Sequence, residues 1–206
     1  MTVSEKKSVC IVLGTAHGYD VAGKQSPDGT LKEYKWSREM CNKVLKRLQD
    51  DGYRCVIDYT GENEIGLGNR CQIVNNYCNF FGKQNTLYFS IHVNAAGADG
   101  KWHNARGWES HIAKNASNNS KKIANILWDE FEKTDIKLRR PTKTQNYWCN
   151  DFYVLKNTRC PAVLVETLFQ DSKDDVAYLL SKEGQKVICE CYVNAIEKYV
   201  NELIVK

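Results

Sequence analysis

The sequence predicts an α/β fold, a single domain built on a twisted, largely parallel mixed β-sheet with helices on both faces. Three observations carry this. Short apolar runs alternate with stretches of helical periodicity from one end of the chain to the other. The runs are continuous rather than alternating, as befits strands covered on both sides. And 206 residues form one ordinary core, with no linker, repeat or low-complexity tract to divide them, so the domain is expected to span 1–206.

Taken in order, Ser8 to Gly14 reads as a buried strand ending in glycine. Thr15 to Lys32, with its glycines and the turn signal Pro27-Asp28-Gly29, reads as a long loop. Trp36, Met40, Val44 and Leu48 recur at helical spacing, with Leu45 beside them and Gly52 as a cap. Tyr53 to Tyr59 is a second strand. Leu67 to Phe81 is a helix with Ile73, Val74, Tyr77 and Phe80 or Phe81 on its inner side and Gly82 as its stop. Thr86 to His92 is a strongly apolar strand. Gly97 to Gly107 reads as a surface loop, Trp108 to Ala113 as a strand and Asn118 to Lys133 as a helix. Thr142 to Asp151 is too mixed in polar and aromatic residues to assign. Pro161 to Glu166 is a last apolar strand, and Glu183 to about Glu202 is a closing amphipathic helix.

Composition excludes several classes. With 42% hydrophobic residues and three prolines the chain is neither disordered nor fibrous. Its longest early apolar run, Val9 to Leu13, is far below the roughly 20 residues that cross a bilayer, so membrane insertion is not expected. A net charge of +4, without a basic stripe, offers nothing for nucleic acid. Nine cysteines with no CxxC pair read as reduced, buried thiols. Lys6 and Lys7 precede too short an apolar run for a signal peptide, so synthesis in the cytoplasm without an export signal is expected.

In such folds ligands sit outside the carboxyl ends of the strands. Three apolar strands lead there into groups that bind metal or move protons: His17 in GTAHGYD, His92 in SIHVNAA and Glu166 in AVLVETLFQD. Hydrolytic zinc commonly takes three protein ligands and leaves a fourth position for water, so two histidines need a third partner. Glu33, where the loop enters the first helix, is one candidate, although a first-turn glutamate also simply complements the helix dipole; Asp20 is the fallback. Asn94 stands two residues past His92, placed either to bind substrate or to hold its loop. His103 and His111 read as solvent-exposed or capping residues. Trp102, Trp108, Tyr147 and Trp148 could stack on a sugar or peptide, or belong to the core.

This order of motifs, from about Val9 to the last helix, resembles the zinc-dependent N-acetylmuramoyl-L-alanine amidases of the type 3 family, which include autolysins and phage endolysins. SIHVNAA and PAVLVE are the specific pieces; Leu67 to Asn75 and Gly107-Trp108-Glu109 support them. The resemblance implies His17, Glu33 and His92 as ligands of a Zn²⁺ cofactor and Glu166 as the catalytic glutamate. It also implies peptidoglycan as substrate, cut between N-acetylmuramic acid and L-alanine, with zinc activating water and Glu166 carrying its proton to the leaving nitrogen. The chain departs from the family at Gly-Thr-Ala-His-Gly-Tyr around His17, at Asp58-Tyr59, and at Leu168, where the family has glycine and where a narrowed cleft beside Glu166 is expected. Asn94 is carried as the substrate-binding candidate, and a monomer is expected. The competing readings are a zinc carboxypeptidase or endopeptidase acting within the stem peptide, whose first two ligands lie three apart rather than the sixteen separating His17 and Glu33, and an inactive peptidoglycan-binding module. An amidase without an export signal suits a phage or prophage endolysin.

Overall fold

Strand β1 (Cys10–Thr15) is buried at all six positions, because its apolar residues alternate between two helical layers. Ile11 and Leu13 face one cluster and Cys10 and Val12 the other. A computed structural model describes residues 2–204. After a four-residue helix α1 (Val3–Lys6) and β1 come α2 (Glu33–Asp50), β2 (Arg54–Ile57), α3 (Leu67–Phe81), β3 (Thr86–Asn94), β4 (Glu109–Ile112) and α4 (Asn118–Phe131). The chain continues through β5 (Trp148–Cys149), α5 (Tyr153–Asn157), β6 (Ala162–Phe169), α6 (Lys173–Leu180) and α7 (Lys182–Ile204).

The sheet order is β2-β1-β3-β6-β4-β5. All neighbours are parallel except β4 and β6, which makes the sheet mixed as expected. Helices α2, α4, α6 and α7 cover one face around a core that includes Trp108, Phe131 and Tyr192, while α3 and α5 cover the other. Among the described residues no helix is long and apolar enough to cross a membrane. Of the nine free cysteines eight are buried and Cys149 is half-buried.

The expected stripe on α2 is buried at Trp36, Met40, Val44 and Leu48. On α3 the inner face differs from expectation: it is Arg70, Cys71, Val74 and Cys78, while Phe80 is 82% exposed. The apolar residues of this helix outnumber what one face can hold, and a buried arginine had no place in a hydrophobic pattern. The last strand runs three residues past Glu166, to Phe169. It does so through a bulge: His92 pairs with Glu166 but Asn94 with Phe169, so two steps on β3 oppose three on β6. Leu168 takes up the extra residue at φ 64°. β5, α5 and α6, which the sequence left unassigned, are each eight residues or shorter and carry too few turns to show a period.

Candidate active site

The chain leaves β1 towards β2 on one side and returns to β3 on the other, so β1 and β3 flank the point where strand order reverses. His17 follows β1 and His92 lies near the end of β3. Tyr88, Ser90 and His92 alternate onto the α3/α5 side of the sheet, as do Leu164 and Glu166 on β6. These residues line a cleft of about 220 Å³ that runs from His17 to Tyr153 on α5.

His17 sits at φ 40°, a conformation costing a non-glycine residue about 1–3 kcal/mol unless its surroundings hold it. Two arginines do so. Arg38 Nη2 donates to the His17 carbonyl at 2.9 Å and Arg70 Nη2 at 3.3 Å. The preceding residue is fixed as well: Ala16 N donates to Ser37 Oγ, which itself donates to the Ile91 carbonyl, so α2 ties β1 and β3 together beneath the site. Burial pushes the His17 imidazole down to about 4, so the ring is neutral at pH 7, the form that binds metal.

Glu33 occupies the first turn of α2, its backbone N–H donating to the Lys24 carbonyl at 3.0 Å. Its carboxylate reaches over to the strand ends, where Oε1 accepts from Val93 N at 3.1 Å and lies 3.2 Å from His92 Nδ1. Oε2 is 3.6 Å from His17 Nε2, and it is buried with no hydrogen-bond partner among the described residues. Burial alone would raise Glu33, but the hydrogen bond and charge of His92 hold it below the usual carboxylate range. The two rings meet edge to face with centroids 5.2 Å apart. One ligand atom from each of His17, Glu33 and His92 lies within 4.8 Å of the others. Two imidazoles and a carboxylate form the nitrogen and oxygen donor set zinc takes in hydrolytic sites, and an orphaned buried carboxylate oxygen beside them is what a cation would satisfy. The residues fit the metal. Asp20, the fallback, is exposed and instead accepts from Glu64 N at 2.8 Å.

Glu166 is half-buried beside this set, its Oε2 enclosed and without a hydrogen-bond partner among the described residues. Burial, and then the nearby Glu33 and Glu109 carboxylates, push its acid well above the usual carboxylate range. Glu109 is its register partner across β4. That carboxylate is itself held by Asn94 Nδ2 at 3.0 Å, Arg139 Nε at 2.8 Å and His111 Nε2 at 3.1 Å. Asn94 thus spends one amide hydrogen on Glu109, and its oxygen accepts from Ala95 N at 2.8 Å, which is the loop-holding arrangement.

Two expectations are corrected here. His111 is neither exposed nor a cap: it is 4% exposed, set between Glu109 and Asn150, because its β4 position faces inward and a carboxylate satisfies it there. Leu168 does not narrow the cleft, because the bulge turns it into the opposite core. Trp108, one of the rings open to either role, is a core residue stacked on Phe131 at 4.3 Å. His103 lies in the polar loop and pairs with Asp99 there at 2.9 Å.

The supports of the site are Arg70 and Asp58, the second noted in the sequence only as a departure from the family and neither given a role there. Arg70 is 2% exposed and donates to Thr15, Asp58, Glu64 and His17, while Asp58, also buried, accepts from Thr15 N and the Tyr88 hydroxyl. Arg70 is the only charged residue of α3, and that was the available signal.

A family model described as N-acetylmuramoyl-L-alanine amidase matches residues 11–198. The endolysin of Bacillus phage SPP1 is 27% identical over 199 residues, covering 94% of this chain and 67% of that protein. The Bacillus subtilis (strain 168) protein YqiI is 25% identical over 199 residues, covering 96% and 87%. In fold the chain is similar to the crystal structure of N-acetylmuramoyl-L-alanine amidase from Clostridium difficile 630, with a TM-score of 0.80, 20% identity and 94% and 97% of the two chains covered.

Proposed function

The chain belongs to the N-acetylmuramoyl-L-alanine amidase family, and from that premise we propose that it is a zinc-dependent peptidoglycan amidase in which His17, Glu33 and His92 hold the metal and Glu166 is the general acid/base. The observation that carries the ligand assignment is the Glu33 carboxylate, drawn out of the first turn of α2 to lie between His17, just past β1, and His92 on β3. A zinc ion held there supplies Lewis acidity towards the amide carbonyl, lowers the pKa of water to about 7 and offsets the Glu33 charge that pushes Glu166 up.

The protein's own groups do the rest. Glu166, on the neighbouring strand and lining the same cleft, takes the proton of the attacking water and returns it to the leaving amide nitrogen, a role typically worth about 10²–10⁴-fold. Glu109 and Arg139 keep a fixed charge pair on its far side, and Asn94 holds Glu109 with one amide hydrogen while its second remains free to donate to substrate. Arg38 and Arg70 orient His17 through its carbonyl. The family membership and the likeness to the phage SPP1 endolysin support the cell wall as the place of action.

Glu166→Gln tests the mechanism. It is expected to keep its metal and fold and to lose at least about a hundredfold in turnover, whereas His17→Ala loses the metal too. Peptidoglycan hydrolysis by Glu166→Gln at the unmodified rate would overturn the assignment.

A further inference from the structure

Two cationic side chains line the cleft, Lys24 and Arg70. Arg70 is saturated: it is ion-paired to Asp58 at 3.3 Å and to Glu64 at 3.1 Å, and its remaining donors go to Thr15 and His17. Glu64, the acidic group nearest to it on the rim, also caps Gly66 N. Lys24 differs. It is half-buried, yet its ammonium has neither an ion pair nor a hydrogen bond among the described residues, and it faces the same opening as His17, His92 and Glu166.

The backbone under Lys24 is fixed from two sides. Its carbonyl accepts from Glu33 N at 3.0 Å, and the Gly23 carbonyl accepts from Gln170 Nε2, just beyond β6, at 2.9 Å. Gln25 then bridges to Lys32, and a turn braced by Asp28 closes the loop. A loop tied to both the metal-ligand helix and the end of the Glu166 strand roots its lysine at a set backbone position, so only the side chain is left to order when a ligand arrives. An unpaired ammonium held in a cleft recognises an anion.

The substrate restricts which anion that is. This step rests on the amidase reading above. The muramoyl side of the scissile bond is neutral: the lactyl carboxyl is consumed in the amide, and the sugar offers only hydroxyl and acetamide groups. The free carboxylates adjoining the bond belong to the peptide. We propose that Lys24 is the carboxylate-binding residue of the cleft, receiving the free α-carboxylate of the second residue of the stem peptide. Lys24 therefore marks the peptide side of the cleft, and the enzyme discriminates against stems in which that carboxylate is amidated.

The test is calorimetric titration of the Glu166→Gln protein with two muramoyl tripeptides. One carries the second-residue α-carboxylate free, the other carries it as the primary amide, and all other carboxyls are amides in both. A charge-assisted hydrogen bond predicts binding of the free carboxylate about tenfold tighter. The ratio is expected to fall to near one when Lys24→Met is added and to persist with Lys24→Arg. A ratio unchanged by Lys24→Met, or a ratio of one with Lys24 in place, would overturn the proposal. Cleavage of the free-carboxylate compound by the unmodified protein, followed in parallel, separates the two levels. Cleavage without discrimination removes Lys24 alone, and absence of both cleavage and binding removes the amidase reading with it.

Discussion

Replacing Arg70 with methionine keeps most of the aliphatic volume and removes a guanidinium that is 3% exposed. Its partner Asp58 has a fully buried side chain and would be left with Thr15 and the Tyr88 hydroxyl as its remaining contacts. Burial already raises Asp58, and Arg70 is what opposes that rise. Breaking a buried pair from one side costs about 3–5 kcal/mol, which for a chain of this length lowers the melting temperature by roughly 6–20 °C. The same substitution removes one of the two donors on the His17 carbonyl, so zinc affinity is expected to fall as well. Thermal and urea denaturation of the unmodified protein, Arg70→Met, Asp58→Asn and the double variant form a complete cycle. The double variant should lose less than the sum of the two single losses, because it leaves no uncompensated charge. A loss under about 1 kcal/mol for Arg70→Met, or simple additivity, would refute the view that this network carries the site.

Glu33→Gln retains the Val93 contact but removes the charge, and metal content measured by atomic emission is expected to fall sharply against the unmodified protein, with Asp20→Asn unaffected. His17 binds fewer protons folded than unfolded, so its contribution to stability is present above pH 6.5 and lost as pH falls towards about 4. In the metal-free protein that is about 2 kcal/mol between pH 7 and pH 5, read as the extra loss relative to His17→Gln, a comparison that cancels the opposite trend of Glu166. Leu168 combines a buried side chain with φ 64°, so Leu168→Gly and Leu168→Ala both destabilise, but glycine regains about 1 kcal/mol of backbone strain and should be the milder of the two. Alanine proving the milder would contradict the strain.

The sheet and its principal helices were legible because their residues are buried on a period: β1, β3 and β6 as continuous apolar runs, and α2 at Trp36, Met40, Val44 and Leu48. The site was legible for a topological reason. Strand ends converge in an open parallel sheet, so His17, His92 and Glu166 had a common destination before any distance was known. Glu33 was not decidable from position, since a first-turn glutamate serves the helix dipole equally well; only its contact with Val93 N shows the carboxylate drawn off the helix end. What the pattern hid were groups whose position depends on tertiary pairing. Buried Arg70 and Asp58 are tolerable only together, His111 only beside Glu109, and Leu168 only with a bulge that no local propensity announces.

Incubating the purified protein with peptidoglycan, with and without a chelator, and identifying the new termini by mass spectrometry tests the zinc amidase reading at its root. Stems released with a free L-alanine amino group are expected, their release abolished by chelation and restored by zinc. New termini within the stem peptide, or release of L-alanine termini undiminished by chelation, would contradict that reading.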